Sequence, residues 1–131
     1  MPGDTSSKPC LLVVDDDEQV LGLLSDVLAE NHEVVTFSHP VRALDWCRQV
    51  GSLFRVSTLI TDLKMPGLNG LDLIRQIRVC LPGLPAIILS GSWTALEVAE
   101  SHSLPGVIFL PKPFDIPSLL SALRKVSGRH G

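Results

Sequence analysis

Tyrosine is absent from this chain, and aromatic residues make up only 5% of it. No phenolic hydroxyl can take part in chemistry or signalling, so any aromatic device must use the four Phe or two Trp. Positive charge is also scarce. Eleven Lys and Arg against fourteen Asp and Glu leave a net charge of -3, without the basic patch or stripe that tracks nucleic acid. Direct nucleic-acid binding is therefore not expected. The three cysteines, Cys10, Cys47 and Cys80, are odd in number and far apart within apolar patterns. They read as reduced core residues rather than a disulfide framework or a metal set. No apolar run approaches the roughly 18 residues of a membrane span, and residues 1–9 lack the apolar core of a signal peptide. A cytoplasmic domain without membrane insertion is the expectation.

What is present suits one buried domain. Hydrophobic residues make up 45% of 131 residues and charged ones 19%, enough for a single core at a typical domain length. Residues 1–9 have little to bury and read as a disordered leader. Short apolar runs then alternate with helical periodicity. Strands are expected over residues 10–14, 33–37, 57–61, 85–89 and 107–110. The first helix would bury Val20, Leu21, Leu24, Val27 and Leu28, the second Val41, Leu44 and Cys47, and the third, beginning near Gly70, Leu71, Ile74 and Ile77. A weak pattern over residues 93–101 suggests a brief fourth helix. Asp115 would cap the last, with Pro117 in its first turn and Ile116, Leu119, Leu120, Leu123 and Val126 buried. Five β-then-α units over residues 10–127, with 128–131 as a frayed end, argue for an α/β fold: a single five-stranded parallel sheet flanked by five helices.

The strand exits carry the chemistry. Asp15 and Asp16 follow the first strand, Asp62 the third, Ser90 the fourth and Lys112 the fifth. In open α/β sheets ligands collect outside the carboxyl ends of the strands. Three carboxylates converging there need a counter-charge, and such hard oxygen ligands suit Mg2+, with Mn2+ as an alternative. Lys112 brings an ammonium that can meet an anion. A pocket with a cation, a lysine and a hydroxyl can bind a phosphoryl group while one carboxylate attacks phosphorus. Asp62 stands alone at a central strand and is the candidate nucleophile, whereas Asp15 and Asp16 come as a metal-binding pair.

Four segments in order, Val13-Val14-Asp15-Asp16-Asp17, Thr61-Asp62-Leu63-Lys64-Met65-Pro66-Gly67-Leu68-Asn69-Gly70, Leu89-Ser90-Gly91 and Phe109-Leu110-Pro111-Lys112-Pro113-Phe114, carry a resemblance. The chain resembles the receiver domains of two-component response regulators and hybrid histidine kinases over residues 11–126. The resemblance implies a flavodoxin-like sheet of strand order 2-1-3-4-5. It implies that Asp62 is phosphorylated by a phosphohistidine, on a histidine kinase or a histidine phosphotransfer protein. Asp16 would ligate Mg2+ directly, Asp15 through water, and Asp62 and the backbone carbonyl of Lys64 would complete the protein ligands. Lys112 would pair with the phosphoryl group, with a cis bond to Pro113. Ser90 and Phe109 would form a switch that alters the face made by the fourth helix, fifth strand and fifth helix, and a phosphorylation-dependent homodimer is compatible with it. Phe109 stands where Tyr is often found. Lys64 and Ser92 occupy positions that tune acyl-phosphate lifetime in this family.

Two rivals keep parts of this picture. A pseudo-receiver would serve as a phosphorylation-independent docking module, but it has no need for Asp15, Asp16, Asp62, Ser90 and Lys112 together. A phosphohydrolase with an aspartyl-phosphate intermediate usually needs an acid two residues beyond the nucleophile, where Lys64 stands, and a cap for which there is little chain. A signalling domain rather than an enzyme is expected, either standing alone or as part of a larger regulator or hybrid kinase.

Overall fold

The structure, a computed structural model, describes residues 8–127. Most of the expected leader and the expected frayed end, residues 128–131, lie outside the described residues. Strands β1 (Cys10–Val14), β2 (Glu33–Phe37), β3 (Val56–Asp62), β4 (Ala86–Ser90) and β5 (Val107–Pro111) alternate with helices α1 (Glu18–Leu28), α2 (Pro40–Val50), α3 (Gly70–Cys80), α4 (Ala95–Ser103) and α5 (Ile116–Val126). All pair in parallel, in the order β2-β1-β3-β4-β5.

Parallel strands covered on both faces need apolar side chains at every position, which is why β1 and β4 read as unbroken runs and are buried throughout. Successive residues still point to opposite faces. Leu12, Val14 and Ile88 pack with Ala43, Leu44, Cys47, Leu71 and Ile74 from α2 and α3. Leu11, Val13, Ile87 and Leu89 pack with Leu21, Leu24, Leu119 and Leu123 from α1 and α5. Two cores thus sandwich the sheet.

Boundaries differ from the sequence expectation where backbone donors decide. Pro85 has no N–H to give, so β4 starts at Ala86, while the Pro85 carbonyl accepts from Leu59 N at 2.9 Å. The fourth helix begins at Ala95 rather than residue 93, because Thr94 and Glu97 form a reciprocal capping box. Val41 was expected on the buried line of α2 but is 51% exposed, and the buried positions there are Pro40, Ala43, Leu44 and Cys47. After α2 the chain continues as a 3-10 turn, Gly51–Phe54, that no periodicity indicated. Cys10 and Cys47 are buried free thiols, as expected, whereas Cys80 is only half-buried.

α4 is the thinnest element. Ser101 is its one buried residue, and Leu96 is 71% exposed. Just beyond its end, at the amino-terminal edge of the sheet, Arg78 of α3 reaches across. Its Nε and Nη2 donate to the Leu84 carbonyl at 3.0 and 2.8 Å, and Nη2 donates to the Pro105 carbonyl at 2.7 Å.

Candidate functional site at the carboxyl edge of the sheet

The strand order brings the exits together. From β1 the chain leaves to β2 on one side, while β3 lies on the other, so a crevice opens between the ends of β1 and β3. Asp15 directly follows β1 and Asp62 is the last residue of β3. Lys112 directly follows β5, and its N–H donates to the Ser90 carbonyl at the end of β4 at 2.7 Å. Gly70, the first residue of α3, donates its N–H to the Leu63 carbonyl at 2.9 Å, pressing the helix start against the strand end.

Asp15 and Asp62 are buried, at 0% and 8% exposure, while Asp16 is exposed. Carboxylate oxygens of all three lie within 4.8 Å of one another. Each buried acid has one oxygen held by the backbone. Asp15 Oδ1 accepts from Asp17 N at 2.9 Å, and Asp62 Oδ1 accepts from Leu63 N at 2.8 Å. Their Oδ2 atoms face Lys112, whose Nζ is 3.0 Å from Asp15 and 3.7 Å from Asp62.

One ammonium does not balance three carboxylates. Burial, and then the Asp15 charge, push the Asp62 carboxyl above its ordinary range; Lys112 and the Leu63 N–H oppose that rise without overcoming it. A buried all-oxygen cluster with excess negative charge, open on the Asp16 side, fits a divalent cation that retains part of its water shell. Among the described residues this is the one such cluster of acids, Cys or His.

The remaining residues surround the site without all pointing into it. The Ser90 hydroxyl donates to the Ser92 carbonyl and accepts from Ser92 N at 3.2 Å, so it is turned into its own loop. Phe109 is half-buried, with its ring edge-on to Trp93 at 5.2 Å. The Lys112-Pro113 bond is cis. The Lys64 side chain turns away to Glu97 of α4, with Nζ–Oε2 at 2.7 Å. Glu97 also accepts from Thr94 N at 2.8 Å, and these two bonds hold its carboxyl below the usual range, the Lys64 bond being the larger cause. Neither Glu97 nor the Trp93–Phe109 contact was singled out from the sequence. The Thr94-x-x-Glu97 pattern was the available signal for the first.

The comparisons with known proteins agree with this geometry. The response regulator receiver domain family model matches residues 11–124. The DNA-binding transcriptional regulator NtrC of Azospirillum brasilense is 34% identical over 121 residues, which is 91% of this chain and 24% of that protein. PetR of Rhodobacter capsulatus is 32% identical over 125 residues, 95% of this chain and 51% of that protein. The chain thus spans about half or less of the length of these curated relatives. NtrC is itself named as DNA-binding, so the expectation that nucleic acid is no partner gains no support. A response regulator receiver protein from Pseudomonas putida superposes with a TM-score of 0.78 at 31% identity, covering 91% of this chain and 98% of that one. No helix among the described residues is long and apolar enough to cross a membrane. With the family match running from the second residue of β1 into α5 and the acidic crevice lying within it, this chain belongs to the response regulator receiver domains, the signalling modules of two-component systems.

Proposed function

We propose that this receiver domain accepts a phosphoryl group on Asp62 from the phosphohistidine of a histidine kinase or phosphotransfer protein. The observation that carries the reading is the arrangement at the crevice: a buried aspartate with one oxygen tied to Leu63 N–H, and the other turned to Lys112 beside two further carboxylates. Oδ2 of Asp62, which has no backbone hydrogen bond in this arrangement, attacks phosphorus. The P–N bond to the donor imidazole breaks, the imidazole leaves with the bonding electron pair, and an acyl phosphate forms on Asp62. The attacking carboxyl must be ionised; burial and the Asp15 charge work against ionisation, and Lys112 and the Leu63 N–H favour it.

Asp15, Asp16, Asp62 and the Lys64 carbonyl would hold Mg2+. When bound, the ion supplies positive charge that offsets the charge on the carboxylates and on the phosphoryl oxygens. Lys112 exchanges its contact with Asp15 for the phosphoryl group. Ser90 rotates out of its bonds to Ser92 toward a phosphoryl oxygen, and Phe109 moves into the space released. The face built from α4, β5 and α5 then changes, offering a surface for an output partner or a second copy. The reduced cysteines and the phosphohistidine donor suit a cytoplasmic setting.

Intact-mass measurement in acetyl phosphate and Mg2+ tests the reading. One phosphoryl mass is expected on the wild type and none on Asp62→Asn. A docking module with no phosphoryl chemistry would gain no mass, and a gain retained by Asp62→Asn would place the acceptor elsewhere.

A further inference from the structure

Lys64 is two residues beyond Asp62, yet its ammonium is committed to an acid 33 positions away in sequence, at 2.7 Å from Glu97. Glu97 is at the same time the residue that closes the capping box of α4. One carboxylate oxygen takes Lys64, the other takes Thr94 N at 2.8 Å, and Glu97 N donates to Thr94 Oγ1 at 3.1 Å. The helix so capped is the least buried of the five, with Ser101 alone in the core. An electrostatic strap thus runs from the loop after the acceptor to the first turn of the most lightly packed helix.

A phosphoryl group on Asp62 would carry about -1.5 to -2 charges at pH 7, against -1 on a carboxylate. It would arise next to the loop that bears Lys64, on a side chain long enough to turn either way. We infer that Lys64 has two alternative anions, Glu97 in the unphosphorylated domain and the phosphoryl group in the phosphorylated one, so that this exchange loosens the first turn of α4. The inference rests on Asp62 accepting the phosphoryl group and adds a regulatory route to α4 separate from Ser90 and Phe109. Glu97 is then a positioning residue: it holds the unphosphorylated state by keeping Lys64 away from the site.

The strap favours the unphosphorylated state, so removing its charge shifts the balance. Glu97→Gln keeps the side chain that a capping box needs but loses the ion pair. Beryllofluoride with Mg2+, an acyl-phosphate mimic, should bind this variant about two- to five-fold more tightly, the fold-change expected of an exposed pair. In a Lys64→Ala background the same substitution should change nothing, which makes a double-mutant cycle the decisive measurement. Hydrogen exchange of the amides of the first turn of α4 should rise on adding beryllofluoride to the wild type and be raised from the outset in Glu97→Gln. Equal affinity in Glu97→Gln and wild type, or the same gain with and without Lys64, would overturn the inference. If Asp62 takes no phosphoryl mass from acetyl phosphate, the proposed function itself fails; if it does and the cycle shows no coupling, the strap alone is wrong.

Discussion

The α-carbon of Gly70 lies against the backbone carbonyl of Asp62, leaving no room for a side chain: an ideal Cβ built on Gly70 overlaps that oxygen and presses on Leu63 as well. The first turn of α3 therefore abuts the end of β3, and Asp62 is held by backbone packing before any charge is considered. Gly70→Ala should destabilise the domain by about 1–3 kcal/mol, the usual cost of forced overpacking. Gly22, inside α1 with nothing near its absent Cβ, provides the control. Gly22→Ala should stabilise by about 0.5–1 kcal/mol through helix propensity. Urea unfolding of the two variants should move the midpoint in opposite directions.

Asp62→Asn should make the domain more stable at neutral pH in the absence of divalent ions. The wild-type carboxyl has a raised pKa in the folded state because of burial and Asp15. Between the ordinary value of 3.8 and the folded value, the native state holds a proton that the unfolded state has released. Stability falls as pH rises through that window, and the penalty is complete above it. The advantage of the Asn variant should shrink as pH is lowered toward 3.8. Thermal melts across that range check the sign, and a wild type more stable than Asp62→Asn at neutral pH would contradict it.

Lys112→Met should slow phosphorylation by acetyl phosphate about 100-fold, the scale of losing one preorganised positive group beside developing charge. Lys112→Arg should not restore the rate. Its planar fork presents donors in a different geometry from the single ammonium that reaches both Asp15 and Asp62. Initial rates followed by intact mass distinguish the three proteins.

Trp93 offers an optical report on Phe109. The two rings meet edge-to-face at 5.2 Å, and Trp93 is 43% exposed. With Trp46→Phe leaving Trp93 as the single indole, beryllofluoride and Mg2+ should change the emission of Trp93. In a Phe109→Leu background the change should largely disappear, since the ring whose movement it reports is gone. An undiminished change there would mean that Trp93 follows the loop and not the ring.

The central strands were legible because the chemistry of a doubly covered strand is local: Leu11 to Val14 need no partner to be recognised as buried, and the runs of β1, β3 and β4 stop at Asp15, Asp62 and Ser90. Asp15, Asp62, Ser90 and Lys112 could be gathered at one edge because parallel strands all exit on the same side. Less was visible where the answer depended on which neighbour covers a helix. Val41 has the spacing of Leu44 but faces solvent, and Ile116 and Leu120 are half-buried rather than core. The orientation of polar side chains was least legible. Ser90 bonds Ser92 in a local turn that serine favours, but nothing local tells Lys64 to leave its own loop for Glu97, because that choice follows from the placement of the helix after β4. Asp16 was paired with Asp15 by sequence, yet one is exposed and the other fully buried, a difference set by the turn into α1.

The contacts that hold α4 at and beyond its two ends are unequal in kind, and between them Arg75 of α3 pairs with Glu100 at 3.4 Å. At Glu97 the grip is ionic and reaches Lys64, two residues beyond Asp62. Past its other end, Arg78 holds the Pro105 carbonyl and at the same time the Leu84 carbonyl. Carbonyl acceptors carry no net charge and no titratable proton, and a guanidinium stays charged across the physiological range. The acceptors of that joint therefore carry no charge for a phosphoryl group to repel. A loosened first turn of α4 would be felt first at Leu96, the apolar side chain that α4 leaves 71% exposed.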